Sequence, residues 1–235
     1  MELSELRFFA TAEHECGYLP GKQARTVVAD PAQVTSMALY SRLADYGFRR
    51  SGDHVYVPQC GECQACIPVR VDTSRFSARR IQRRVLKRNV ELEESWRPAV
   101  FDEEHFALYQ RYMQARHAEG SMAQHTPDDY AEFLLCKWSE TELLELRDAT
   151  GLLAVGVVDV LETGLSSVYT FFAPEASSRS LGVYAVLRTL ARCQREARPW
   201  LYLGYWIEAC AKMSYKRDYL PQQRYKHGHW VTWNG

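Results

Sequence analysis

Three groups of residues in this chain have the types and spacing to do chemistry. The first is cysteine: Cys60-x-x-Cys63-x-x-Cys66 has the spacing of iron–sulfur ligands, and Cys16 offers a fourth thiolate. Tetrahedral zinc accepts the same donors, and reduced thiols packed near a binding surface are the remaining alternative. The second is basic. From Arg75 to Arg88 the chain reads RFSARRIQRRVLKR without an acid. On a helix, Arg79, Arg83 and Lys87 share one row and Arg80, Arg84 and Arg88 the next. Like charges so placed repel by about 0.2–0.5 kcal/mol per pair, so the rows predict an anionic partner. The competing reading is a solvated face whose stems cover the core. The third is Asp159, an acid inside the apolar run AVGVVDVL. An unpaired carboxylate is costly there, which predicts either a working acid or a partner for a basic or backbone group.

The elements that must position these groups follow from composition and pattern. The chain has 235 residues, 46% hydrophobic and 12% aromatic, enough for one large or two modest domains with a sizeable core. Lys and Arg number 29, as do Asp and Glu, yet the neutral average hides the basic stripe, which can still hold phosphates locally. Met1 to Glu13 carries charges throughout and lacks the apolar core of a signal peptide. No apolar run approaches the ~18 residues of a membrane helix. A cytoplasmic protein with no membrane partner is expected. Seven cysteines, an odd number, then predict thiols rather than disulfides.

SELRFFA at 4–10 predicts a strand, residues 31–46 a helix stopped by Gly47, and 54–58 and 67–72 two strands flanking the cysteine-rich turn. Residues 77–89 predict a helix with Ile81, Val85 and Leu86 inward. Helices follow at 105–117 and 128–138, the latter opened by Thr126-Pro127. Strands are expected at 143–148, 152–161 and 166–173, then a long helix after Ser177-Ser178 that ends before Pro199. WLYLGYWI at 200–207 predicts a strand, KMSYKRDY a short helix and GHWVTWN a last strand. The expected fold class is α+β. An N-terminal cysteine-bearing unit (1–75) is joined by a basic connecting helix (76–98) to a second unit (99–235).

Antiparallel strands, a helix starting at a basic turn, then a strand rich in Tyr and Trp resemble the core of the GCN5-related N-acyltransferase fold. There the turn before the main helix reads [QR]-x-x-G-x-[GA] and its amides hold the pyrophosphate of acyl-CoA. Here it is Arg179-Ser180-Leu181-Gly182-Val183-Tyr184. The final Tyr would crowd a pyrophosphate, so a donor other than CoA is expected. The ordered set CGYLPG (16–21), GFRRSGDHVYVPQCGECQAC (47–66), RRVLKRN (83–89), VYTFFAPEASSRSLG (168–182) and YLGYWIEACAKMSYK (202–216) is more specific. It closely resembles the bacterial aspartate/glutamate leucyltransferases, relatives of the eukaryotic arginyl-tRNA–protein transferases, over nearly the whole chain. The resemblance implies transfer of leucine from leucyl-tRNA to proteins beginning with Asp or Glu, marking them for N-degron (N-end rule) degradation. Eukaryotic relatives are described as cluster-binding through N-terminal cysteines, but Leu19 stands where they carry a second one.

Such chemistry asks for no cofactor. The donor is an activated ester, and an α-amine with a reference pKa of about 8 is partly a free nucleophile already. The enzyme must align the two, stabilise an oxyanion and return a proton to the ribose. Asp159, if it is a working acid, is the group for orienting or deprotonating the amine, and Tyr169, alternating with Phe171 on its strand, either packs in the core or donates to the developing charge. Arg179, Lys212 and Lys216 are expected to hold the acceptor's acidic side chain, the two lysines sharing a face of the short helix. Tyr202, Tyr205 and Trp206 are candidates for the aminoacyl pocket or for stacking on the terminal adenine. Arg79, Arg80, Arg83, Arg84, Lys87 and Arg88 are expected on the tRNA. An acyl-CoA acetyltransferase and a non-enzymatic, metal-bearing RNA binder are the rival readings.

Overall fold

The computed structural model of the chain describes residues 3–116 and 124–235. The N-terminal part contains β1 (Phe8–Ala10), a hairpin of β2 (His14–Glu15) and β3 (Gln23–Ala24), and β4 (Thr26–Ala29). Helix α1 (Met37–Asp45) begins later than its pattern predicts. The chain first turns at Asp30, whose carbonyl accepts from the Gln33 and Val34 amides, and Ser36 then caps the helix through the Leu39 amide. The hairpin of β5 (Arg49–Ser51) and β6 (His54–Pro58) completes a four-stranded sheet ordered β1-β4-β6-β5.

The remaining strands form one larger sheet. They are β7 (Ile67–Asp72), β8 (Glu93–Pro98), β9 (Thr141–Asp148), β10 (Gly151–Leu161), β11 (Gly164–Phe172), β12 (Trp200–Trp206), β13 (Gln222–Lys226) and β14 (His229–Trp233). Their order is β14-β13-β7-β12-β11-β10-β9-β8. This sheet crosses the boundaries drawn from sequence. β7, from the 1–75 stretch, pairs with both β12 and β13, and β8, from the 76–98 stretch, forms the far edge beside β9. The polar strings EESWRP and QQRYK carry no strand periodicity, so β8 and β13 escape a reading by pattern. Pro98 is tolerated because β8 is an edge.

The helices cover both faces. They are α2 (Arg80–Arg88), α3 (Glu103–Arg116), α4 (Pro127–Leu134) and α5 (Leu181–Arg195). The expected helix over 105–117 ends in His117, which lies outside the described residues. Thr126, Pro127 and Asp129 form the expected capping box of α4. A Cβ built on Gly156 would lie 3.8 Å from Ala185 of α5. Phe171, one pairing step away and therefore on the opposite face, meets Tyr109 of α3 edge-to-face at 5.5 Å. The N-terminal unit also packs against the sheet, in a second apolar cluster of Tyr40, Leu43 and Val55 with Leu161 and Tyr202. The α+β class is as expected. Among the described residues no helix is long and apolar enough to cross a membrane.

Candidate active site

The site arises where two parallel strands part. β11 and β12 pair only at Gly164↔Trp200, Leu165↔Leu201 and Ser166↔Tyr202. Beyond that point a guanidinium replaces the ladder: Arg49 Nη2 donates to the carbonyls of Ser167 at 3.0 Å and Val168 at 3.1 Å. On the other side it lies against Gly204, where a bulge shifts the β12–β7 register. A Cβ on Gly204 would fall 1.6 Å from Arg49 Nη1. Tyr18, Tyr40, Tyr56 and Tyr205 surround this charge. Tyr18 is brought there by the β2–β3 hairpin tip, closed by the Cys16 amide donating to the Lys22 carbonyl. Lys216 and Tyr215 arrive on the 3-10 turn Ser214–Asp218 that follows β12, both within reach of the Arg49 charge. Pattern reading missed Arg49, Tyr18 and Tyr215. The only signal available was their place inside the motifs 47–66, 16–21 and 202–216.

The structure gives several expected site residues other work. Asp159 is 0% exposed, and both its oxygens accept from Arg50, at 2.6 and 2.7 Å, with Thr141 Oγ1 at 2.7 Å. So held, it cannot reach an amine; the reading as a basic group's partner is the one the structure realises. Arg179 is likewise occupied. It donates to Asn89 Oδ1 at 2.9 Å, Asp148 at 3.0 Å and Glu91, tying the end of α2 to the end of β9. Two carboxylates already neutralise it, which leaves no charge for an acceptor. Tyr184 is packed in the main core, so its ring is not what excludes a pyrophosphate.

Tyr202, Tyr205 and Trp206 are all buried. The Tyr202 hydroxyl donates to Asp45 at 2.6 Å, and the Tyr205 hydroxyl to the carbonyls of Gly47 and Tyr56 at 3.2 Å. Trp206 stacks under Arg224. Tyr205 nonetheless lies beside the Arg49 charge, and Tyr202 borders the small cavity next to Ser166 and Gly204. Tyr169 packs at the margin of the main core, against Tyr112 and Phe133. Burial first, then Tyr112, pushes its phenol well above the ordinary range, so it keeps its proton. Among the described residues its hydroxyl has only the weak acceptor Met113 Sδ, 3.9 Å away.

The two lysines do not share a helix face, because the residues around Lys212 form an irregular turn and only Ser214–Asp218 is helical. Lys212 is exposed, whereas Lys216 is 4% exposed and its Nζ donates to the Tyr205 carbonyl at 2.6 Å. Burial first, then the Arg49 charge, holds the Lys216 ammonium well below the usual lysine range. Between that lowered value and the unfolded value of about 10.4 the unfolded chain binds the extra proton, so stability rises with pH there. Lys216→Met should flatten that rise. Urea midpoints of both proteins at several pH values across the window check it, and parallel slopes would contradict the assignment.

Around α2 the basic residues are all exposed. Arg79 pairs with Asp218 at 2.8 Å, Arg83 turns back to the Ala78 carbonyl and Arg88 donates to the Ser178 carbonyl. Arg80, Arg84 and Lys87 point outward along one row, with no ion pair among the described residues. The inner stripe differs from expectation: Gln82 and Val85 are buried while Ile81 is 65% exposed. Gln82 turns inward because its side chain accepts from the Arg79 amide and donates to the Asp218 carbonyl.

The four early thiols come together without forming a ligand set. Burial first, then Cys60, Cys16 and Cys63, pushes the Cys66 thiol up to about 12, so it stands as a thiol. No group of three or more His, Cys, Asp or Glu among the described residues is placed to hold a metal ion. As arranged, these side chains do not fit a cluster or zinc.

The two parallel strands β11 and β12 thus part on the sheet against which the long helix α5 packs. Residues 14–84 match the family described as arginine-tRNA-protein transferase, N terminus, and residues 104–226 match its C terminus. The chain belongs to this family of aminoacyltransferases. An aspartate/glutamate leucyltransferase of Teredinibacter turnerae is 48% identical over 98% of this chain and 96% of its own length. That of Hahella chejuensis is 48% identical over 98% of each chain. Among solved structures, L-PGS from Bacillus licheniformis is more distant, at 14% identity and a TM-score of 0.42, covering 72% of this chain and 49% of that one.

Proposed function

We propose that this chain transfers leucine from leucyl-tRNA to the N-terminal Asp or Glu of proteins, in the cytoplasm, and so marks them for N-degron degradation. The supporting observation is the near full-length likeness to proteins that carry this activity in their names. The ester carbonyl lies in the opening between β11 and β12, where the acceptor's uncharged amine attacks it. The tetrahedral oxyanion then collapses with departure of the ribose oxygen, which takes up a proton. Tyr169 retains its proton and, among the described residues, has only a thioether to donate to, so its hydroxyl can donate to that charge. The reaction is driven by the ester and needs no cofactor.

The test mixes purified protein with a peptide starting with Asp and, in turn, leucyl-tRNA, arginyl-tRNA or acetyl-CoA. Leucine addition from leucyl-tRNA alone is the expected outcome; comparable transfer from either other donor would reject the reading.

The tRNA lies along the outward row of α2. Reversing Arg80, Arg84 and Lys87 to Glu should raise the tRNA Kd and flatten its dependence on salt, since each lost phosphate contact removes about 0.7–0.9 from the log–log slope. The fold should survive, because none of the three is buried or, among the described residues, ion-paired. An unchanged slope would make the row a solvated face.

A further inference from the structure

Arg49 and Arg50 are neighbours with opposite fates. Successive residues of a strand face opposite sides. Arg50 meets Asp159 in a fully buried ion pair, whereas Arg49 reaches the gap between β11 and β12 and meets no carboxylate among the described residues. Of its five N–H donors, only those on Nη2 have protein acceptors among the described residues, and those are backbone carbonyls. Lys216, near enough for the Arg49 charge to depress it, also lacks a carboxylate there and donates to a carbonyl and to Met213 Sδ at 3.3 Å. A guanidinium charge held beside a second basic group with no anion to balance it is unfavourable. The arrangement makes sense if an anion from outside completes it.

The opening adds geometry to charge. Arg49 is held on one side by the Ser167 and Val168 carbonyls and on the other by the bare Cα of Gly204, which any side chain would push aside. The guanidinium is therefore preorganised, in a residue that is itself only half-buried. It lies beside the strand that carries Tyr169. An anion bound there sits next to the place where the ester must be attacked.

We propose that Arg49 holds the side-chain carboxylate of the acceptor's first residue, with the Lys216 amine as a second donor of the same site. This rests on the acceptor reading given under Proposed function. The acid must be told from its amide, which has nearly the same shape, so charge has to discriminate. An unpaired guanidinium does so: it gains a charge-assisted pair with Asp or Glu and only a neutral hydrogen bond with Asn or Gln.

The test compares peptides that begin with Asp, Glu, Asn and Gln, with leucyl-tRNA as donor, on the parent and Arg49→Gln. The parent must first transfer leucine to the Asp peptide; if it does not, the acceptor reading itself fails. Given that activity, R49Q should lose about tenfold or more in kcat/KM for Asp and Glu peptides, mainly through KM. It should change little for Asn and Gln peptides, and leucyl-tRNA affinity should stay within about twofold. A folded R49Q that keeps the parent's preference for Asp over Asn overturns the proposal, as does a loss confined to tRNA affinity. Should R49Q not fold, Arg49→Lys carries the test. It keeps the charge without the planar fork, so a raised KM for Asp peptides against an unchanged preference for acid over amide is expected. An unaltered KM overturns the proposal.

Discussion

Asp159→Asn is expected to destabilise the fold by about 3–5 kcal/mol, because it leaves the Arg50 guanidinium buried with no opposite charge. Arg50 and Asp159 have side chains 0% exposed, so water cannot take over the lost partner. Arg50 also donates to the Leu134 carbonyl at 3.2 Å and to Thr141 Oγ1 at 3.0 Å. The pair thereby connects β5 of the N-terminal unit to β9, β10 and the end of α4, and its loss loosens the seam between the two parts. Replacing both partners with apolar residues, Arg50→Met with Asp159→Leu, should cost much less, since no orphaned charge remains. Denaturant midpoints of the single and double variants measure this. If Asp159→Asn kept the parent midpoint but lost leucine transfer, Asp159 would be a chemical group after all.

Gly204→Ala should produce a comparable loss, of about 2–4 kcal/mol, from two sources. Gly204 has φ +73°, which an L side chain adopts only under strain, and the added Cβ would overlap Arg49 at 1.6 Å. Gly228→Ala separates the two. Its φ is +82°, and nothing lies within 4 Å of the added carbon, so it carries the conformational strain alone. The excess loss in Gly204→Ala reports displacement of Arg49 from its seat. The KM for Asp peptides should rise in Gly204→Ala and stay at the parent value in Gly228→Ala. Equal stability losses in the two variants would mean that the guanidinium simply moves aside.

How far the site could be read from sequence depended on whether the signal was local. Thr126-Pro127 as a helix start, the long helix after Ser177-Ser178 and the strands of β9 to β12 all rest on spacing within one segment, and they formed as expected. Asp159 was recognisable as a costly acid, but its partner is 109 positions away, and no periodicity announces a pairing over that separation. Arg179 shows the same limit. Its place in a family turn suggested a free cation, while Glu91 and Asp148, distant in sequence, had already taken its charge.

The sequence by itself determined the family, the α+β class, most helices and strands, and the basic row of α2, because motif order, periodicity and charge runs are properties of the chain. Only the tertiary structure decided that β7 crosses into the larger sheet, that Lys216 is buried while Lys212 is not, and which arginine of the pair at 49 and 50 stays unpaired. The two are identical as letters, and a strand sends them to opposite sides. What waits on each side, a carboxylate for Arg50 and an opening between parting strands for Arg49, exists only once segments more than a hundred residues apart have packed together.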